Sequence, residues 1–90
     1  MEFSALFDEN KTLYTIKNED DENTTISIDK WAADLLQESL PDVHGWIQQK
    51  YNLVCEKKAE LSRREKGNVV RELARREAQK SPNYPQLLEL

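Results

Sequence analysis

Between Thr24 and Leu36 the sequence TTISIDKWAADLL changes its hydrophobic period at one residue, Asp29. Before it, Ile26 and Ile28 alternate with Thr25 and Ser27, the period of two that turns one face of a strand to a core and the other to water. After it, Trp31 and Leu35 stand four apart, as do Ala32, Leu36 and Leu40, so the apolar side chains form one stripe of a helix. Asp29 is placed to cap that helix, because a carboxylate can accept from the free amides of the first turn and is favoured at the positive end of the dipole. Pro41 ends it, since proline disfavours helical backbone at the preceding residue.

Two more helices are expected. Asp42 can cap one from Val43 to Lys58, with Val43, Ile47, Tyr51 and Val54 at helical spacing. Gly45 in its first turn lowers helix propensity by about 1 kcal/mol against alanine. Ser62 followed by Glu65 is a capping-box pattern, while Gly67 and Asn68 also permit a break and a fresh start. Beyond them Val69, Val70, Leu73, Ala74 and Ala78 lie on one side and Arg71, Arg75 and Arg76 on the other. SPNYP stops this helix, and QLLEL is a loose end or a docked tail. Upstream, TLYTIK is predicted as a strand with Tyr14 and Ile16 on one face, in a hairpin with EFSALF across the turn formers Asp8, Glu9 and Asn10. Four consecutive acids bracketed by asparagines, NEDDEN, are predicted as a solvated linker. The expected fold is α+β and mainly helical, short N-terminal strands followed by about three helices. One domain spans 1–90, with an acidic hairpin or arm over 1–22, strand plus helices over 23–80, and a tail over 81–90.

Ninety residues suffice for one modest core, which makes a homodimer a natural source of further buried area. Hydrophobic residues at 38% are too many for a disordered chain. The single cysteine, Cys55, excludes an intramolecular disulfide and fits a reducing compartment. No run approaches the ~18 apolar residues of a membrane span, and MEFSALFDEN lacks the features of a secretory signal, so a cytoplasmic protein with no membrane partner is expected. His44 has no neighbouring cysteine and is expected as a surface or capping residue in a first helical turn. The chain has no Gly-rich phosphate loop, nucleophile elbow or metal-ligand spacing, and residues 19–22 lack the alternation and glycine of a calcium loop. No catalytic residue, cofactor or metal is expected; the protein is predicted not to be an enzyme.

The net charge of −4 is unevenly distributed. Residues 1–23 hold seven acids and two bases, whereas residues 55–80 hold nine bases and five acids. Bases that share a face can hold a polyanion even in an acidic protein. Glutamates at helical spacing, such as Glu72 with Arg75 and Arg76, also suit a solvated face, and both readings stand. Trp31 and Trp46 adjoin apolar stripes and are expected in core packing, not as base-stacking platforms.

The run NTTISIDKWAADLL, followed by a turn and a second helix, resembles the ribbon-helix-helix family of DNA-binding proteins. The resemblance covers residues 23–78. It implies an intertwined dimer in which two chains pair their strands into a ribbon that enters the major groove. It further implies base contacts from Thr25 and Ser27, with Thr24 or Asn23 at the strand start, and a core role for Ile26 and Ile28. The second helix is either Asp42 to Lys58 or GNVVRELARREA, Gly67 to Ala78. The strand carries no Lys or Arg, so phosphate contact falls to Lys57, Lys58, Arg63, Arg64, Arg71 and Arg75. The implied function is a sequence-specific DNA-binding regulator, such as a small repressor or antitoxin. The alternative is an acidic inhibitor or immunity-type protein without DNA binding, whose Glu19, Asp20, Asp21 and Glu22 meet a basic protein partner. The neighbour of strand 24–28 separates the two: a second copy of itself, or residues 12–17.

Overall fold

A computed structural model of the chain describes residues 10–84. Strands β1 (Lys11–Lys17) and β2 (Asn23–Asp29) pair antiparallel and are followed by helices α1 (Lys30–Ser39), α2 (Val43–Lys57) and α3 (Arg63–Gln79). This is the mainly helical α+β architecture that the periodicities predict. The expected strand at EFSALF and the QLLEL tail lie outside the described residues.

The acidic run is the turn of the β1–β2 hairpin. Asn18 accepts on its carbonyl from the Asp21 amide at 3.0 Å and donates its own amide to the Glu22 carbonyl at 2.8 Å. Its side-chain oxygen accepts from the amides of Asp20 and Glu22 at 2.9 and 3.1 Å. Such a three-residue loop ends in a left-handed position, held here by Asp21 at φ 61°. A side chain in that region costs ~1 kcal/mol, partly offset by the backbone entropy that glycine would add. Asp21→Gly is therefore expected to raise stability by about 0.5 kcal/mol in urea unfolding. A loss instead would mean that the Asp21 carboxylate holds a contact of its own.

Register assigns the two faces of the hairpin. Tyr14 lies opposite Ile26 and Ile16 opposite Thr24, and Ile16, Ile26 and Ile28 are buried against the helices. The opposite face carries Leu13, Thr15 and Lys17 beside Ser27, Thr25 and Asn23, and Leu13 is 63% exposed there. Helix α1 buries Ala32, Ala33, Leu35 and Leu36, and α2 buries Val43, Ile47, Tyr51 and Val54. Helix α3 packs against α1, α2 and β2. Its buried stripe of Lys66, Val70, Ala74 and Ala78 is built mostly of small residues, which allow the other helices to approach.

The helix starts follow local chemistry with one exception. Asp42 accepts from the Gly45 amide at 3.0 Å. Ser62 and Glu65 form the reciprocal capping box at 3.1 and 2.9 Å, and α3 continues through Gly67 and Asn68 without a break. Asp29 stands at the N-cap position of α1, yet its carboxylate caps no amide. It accepts instead from Lys11 at 2.5 Å and Arg75 at 2.7 Å, because charged donors outcompete a backbone amide for an acceptor within reach of both. Trp31 lies half-buried beside Tyr84, ring centres 5.7 Å apart, and Trp46 lies half-buried under the Lys50 ammonium. No described helix is long and apolar enough to cross a membrane.

Candidate functional site

The two edges of the hairpin are finished differently. Lys17 donates its amide to the Gln48 side chain at 2.8 Å and accepts from it on its carbonyl at 2.9 Å, so its backbone points away from β2. Antiparallel alternation then turns the backbone groups of Leu13 and Thr15 on β1, and of Asn23, Thr25 and Ser27 on β2, outward as well. Helix α2 covers the Thr15–Lys17 end of the β1 edge, with Gln48 on Lys17 and the His44 Nε2 2.5 Å from the Thr15 carbonyl oxygen. His44 is thus an exposed residue of the first α2 turn whose ring donates to an edge carbonyl.

Helix α3 borders the β2 edge without closing it. Arg71 Nε donates to the Ser27 carbonyl at 2.8 Å, while the outward amide and carbonyl of Thr25 face a gap between strand and helix. That gap is a cleft of about 140 Å³ whose lining includes Thr25, Tyr51, Arg63, Arg64, Gly67 and Arg71. Arg63, Gly67 and Arg71 are four apart along the helix and Arg64 adjoins them, which places all three arginines on the face turned to β2.

Charge within the site is sorted by the hairpin turn. Lys66 is only 4% exposed, and its ammonium donates to Glu19 Oε2 at 2.6 Å. Tyr51 donates its hydroxyl to Glu19 Oε1 at 2.8 Å, and Arg63 pairs with Glu19 at 3.2 Å and also with Asp20. Lys66 foremost, with the Glu19 backbone and Tyr51, holds the Glu19 carboxyl at about 2, down from 4.5. Arg75 likewise lowers Asp29, and burial beside Glu19 raises the Tyr51 phenol well above its ordinary range.

The residues expected to contact a partner therefore divide. All four acids are exposed, but Glu19 and Asp20 pair with α3, whereas Asp21 and Glu22 form no ion pair among the described residues. Arg63 is tied to Glu19 and Asp20, and Arg75 to Asp29 and Glu72. Arg64, Arg71, Lys57 and Lys58 form no ion pair with any described residue, although Lys57 and Lys58 sit at the end of α2, not in the cleft lining. Thr25 and Ser27 stand on the uncovered hairpin face as period two requires. The neighbour of β2 is β1 of the same chain, the pairing expected of the inhibitor reading and not of a strand paired with its own copy; it sets Lys17 opposite Asn23.

Two residues of the site escape a reading by motif. Lys66 interrupts the α3 apolar stripe at four-residue spacing from Val70, and a lysine in that position signals a buried counter-ion. Gly67 leaves the cleft wall open: a Cβ there would meet only the Arg71 guanidinium, at 3.6 and 4.0 Å. Among the described residues no group of three or more His, Cys, Asp and Glu side chains is arranged to hold a metal ion. No family model, curated protein or solved structure matches the chain.

Proposed function

We propose that the protein is a sequence-specific DNA-binding regulator, of the small repressor or antitoxin kind, that lays the β1–β2 ribbon in the major groove. The observation that carries this reading is the outer hairpin face. It presents Thr15 and Lys17 beside Thr25 and Ser27, and Arg64 and Arg71 border its β2 edge. A two-stranded ribbon fits the major groove, and hydroxyl side chains can donate to or accept from base edges there. In ribbon-helix-helix proteins two chains make the ribbon; here β1 and β2 supply one within a single chain. Lys57, Lys58, Arg64 and Arg71, free of ion pairs with the described residues, are the cations available to phosphates.

Duplex titration by fluorescence anisotropy at low and high salt tests this. Four phosphate contacts at about −0.9 each give a log–log salt slope of about −3.6. Thr25→Ala with Ser27→Ala is expected to weaken binding to a selected site about tenfold, with no change in thermal unfolding. Equal binding by the double variant would end the ribbon reading.

A protein inhibitor without DNA contact is the second reading. It is favoured by the pairing of β2 with residues 11–17 of its own chain and by the exposed Asp21 and Glu22 at the hairpin tip. Solution mass by light scattering bears on the choice. A dimer is the form expected of a regulator on a two-fold site, and a folded monomer that ignores duplex at low salt leaves the inhibitor.

A further inference from the structure

The cleft between β2 and α3 gathers three arginines, of which the fold pairs only one with carboxylates among the described residues. At one end Arg63 is held by Glu19 and Asp20. Arg71 is fixed by two neutral acceptors, the Ser27 carbonyl at 2.8 Å and the Asn68 side-chain oxygen at 2.7 Å, and pairs with no described carboxylate. These bonds use Nε and Nη1 and leave Nη2 uncommitted. Arg64 is exposed beside it and likewise pairs with no described carboxylate. Two guanidiniums bordering one small gap repel each other unless an anion lies between them.

Other features of the cleft favour a compact anion. The Thr25 amide points into the gap, because its strand neighbour Thr15 is a pair that exchanges no ladder bond. Gly67 is buried in the second turn of α3, where glycine costs the helix about 1 kcal/mol against alanine. Its missing side chain keeps open the space in front of Arg71. A volume of about 140 Å³ is well below the ~300 Å³ at which pockets begin to take drug-sized ligands. Tyr51 donates nothing to the anion, since its hydroxyl proton is given to Glu19.

We infer that this cleft is a phosphate site, in which Arg64 and Arg71 clamp a tetrahedral oxyanion that also accepts from the Thr25 amide. Guanidinium forks match phosphate oxygens in geometry as well as charge. The group is a phosphodiester of a nucleic-acid backbone or a free phosphate; both present the same oxygens. The inference rests on the DNA-binding reading for its biological setting, and the cleft chemistry can be tested without DNA.

The test is a titration of the 90-residue protein with inorganic phosphate, at constant ionic strength held with chloride, followed by amide and arginine Nε resonances in NMR. Saturable shifts are expected at Thr25, Gly67 and Arg71, and Arg64→Ala is expected to weaken them about tenfold. Lys30→Ala removes the same charge from a pair with Asp34 on α1 and is expected to leave them unchanged. Shifts spread over all exposed cations, or equal in the Arg64→Ala protein, overturn the inference. A short duplex and a single nucleoside monophosphate then separate the sources. Saturable phosphate binding without duplex binding keeps the site and removes the DNA reading. Duplex binding undiminished by Arg64→Ala, without localised phosphate shifts, keeps the DNA reading and removes the site.

Discussion

Tyr51→Ala is expected to lower the unfolding free energy by about 3–5 kcal/mol, the cost of truncating a large aromatic in a packed core. Tyr51 is 1% exposed and among the largest fully buried side chains of the chain. It lies midway along α2, and its hydroxyl reaches across to Glu19 in the hairpin turn. Its truncation opens a cavity and removes one tie between turn and helices. Small domains have about 5–15 kcal/mol of stability in all, so the variant should lie close to unfolding at ordinary temperature. Tyr51→Phe separates the two contributions. It keeps the ring and leaves Glu19 bound to Lys66 and Arg63, so about 1 kcal/mol is expected. Urea midpoints with unchanged slopes would give both numbers. A Phe variant as damaged as the Ala variant would place the stability in the hydroxyl rather than in packing.

Glu19→Gln should have the next largest effect and should change the response to acid. The Lys66 ammonium, buried on α3, has Glu19 as its only ion-pair partner among the described residues. Removing one member of a fully buried pair costs ~3–5 kcal/mol; Glu19 keeps 32% of its side-chain surface in water, so about 2 kcal/mol is expected at neutral pH. The pH dependence follows from the lowered carboxyl, at about 2 when folded against 4.5. A depressed carboxyl contributes stability that is complete above the unfolded value and is lost as pH falls through the folded one. The parent should therefore lose stability between about pH 4.5 and pH 2, and the Gln variant should lose less of it. Some acid dependence should persist, because Asp29, lowered by Arg75, remains. Adding Lys66→Met to Glu19→Gln should recover stability at neutral pH, since no charge is then left unmatched in the core. An acid profile identical in parent and Gln variant would show that the Glu19 pairing does not stabilise the fold.

What the sequence alone determined is what neighbouring residues decide between themselves. The change of period at Asp29, the stop at Pro41, the Asp42 cap and the Ser62–Glu65 box all depend on groups within four positions of one another. The placement of Thr25 and Ser27 on one face and Ile26 and Ile28 on the other is equally local, because strand geometry alternates side chains whatever the strand pairs with. Helical spacing likewise set Arg71, Arg75 and Arg76 apart from Val70, Ala74 and Ala78.

Only the tertiary structure decided what those faces meet. That the NEDDEN run is a hairpin turn, and not a linker, depends on β1 finding β2. That Glu19 anchors the hairpin turn to α3 depends on Lys66, forty-seven positions away. Asp29 shows the difference most clearly: its N-cap position was legible, but its carboxylate went to Lys11 and Arg75, which no local pattern brings near it. The same holds for the cleft. Which arginines are neutralised and which stay free is set by carboxylates delivered from the hairpin across the α3 face, since Coulomb energy depends on distance in space and not on separation along the chain.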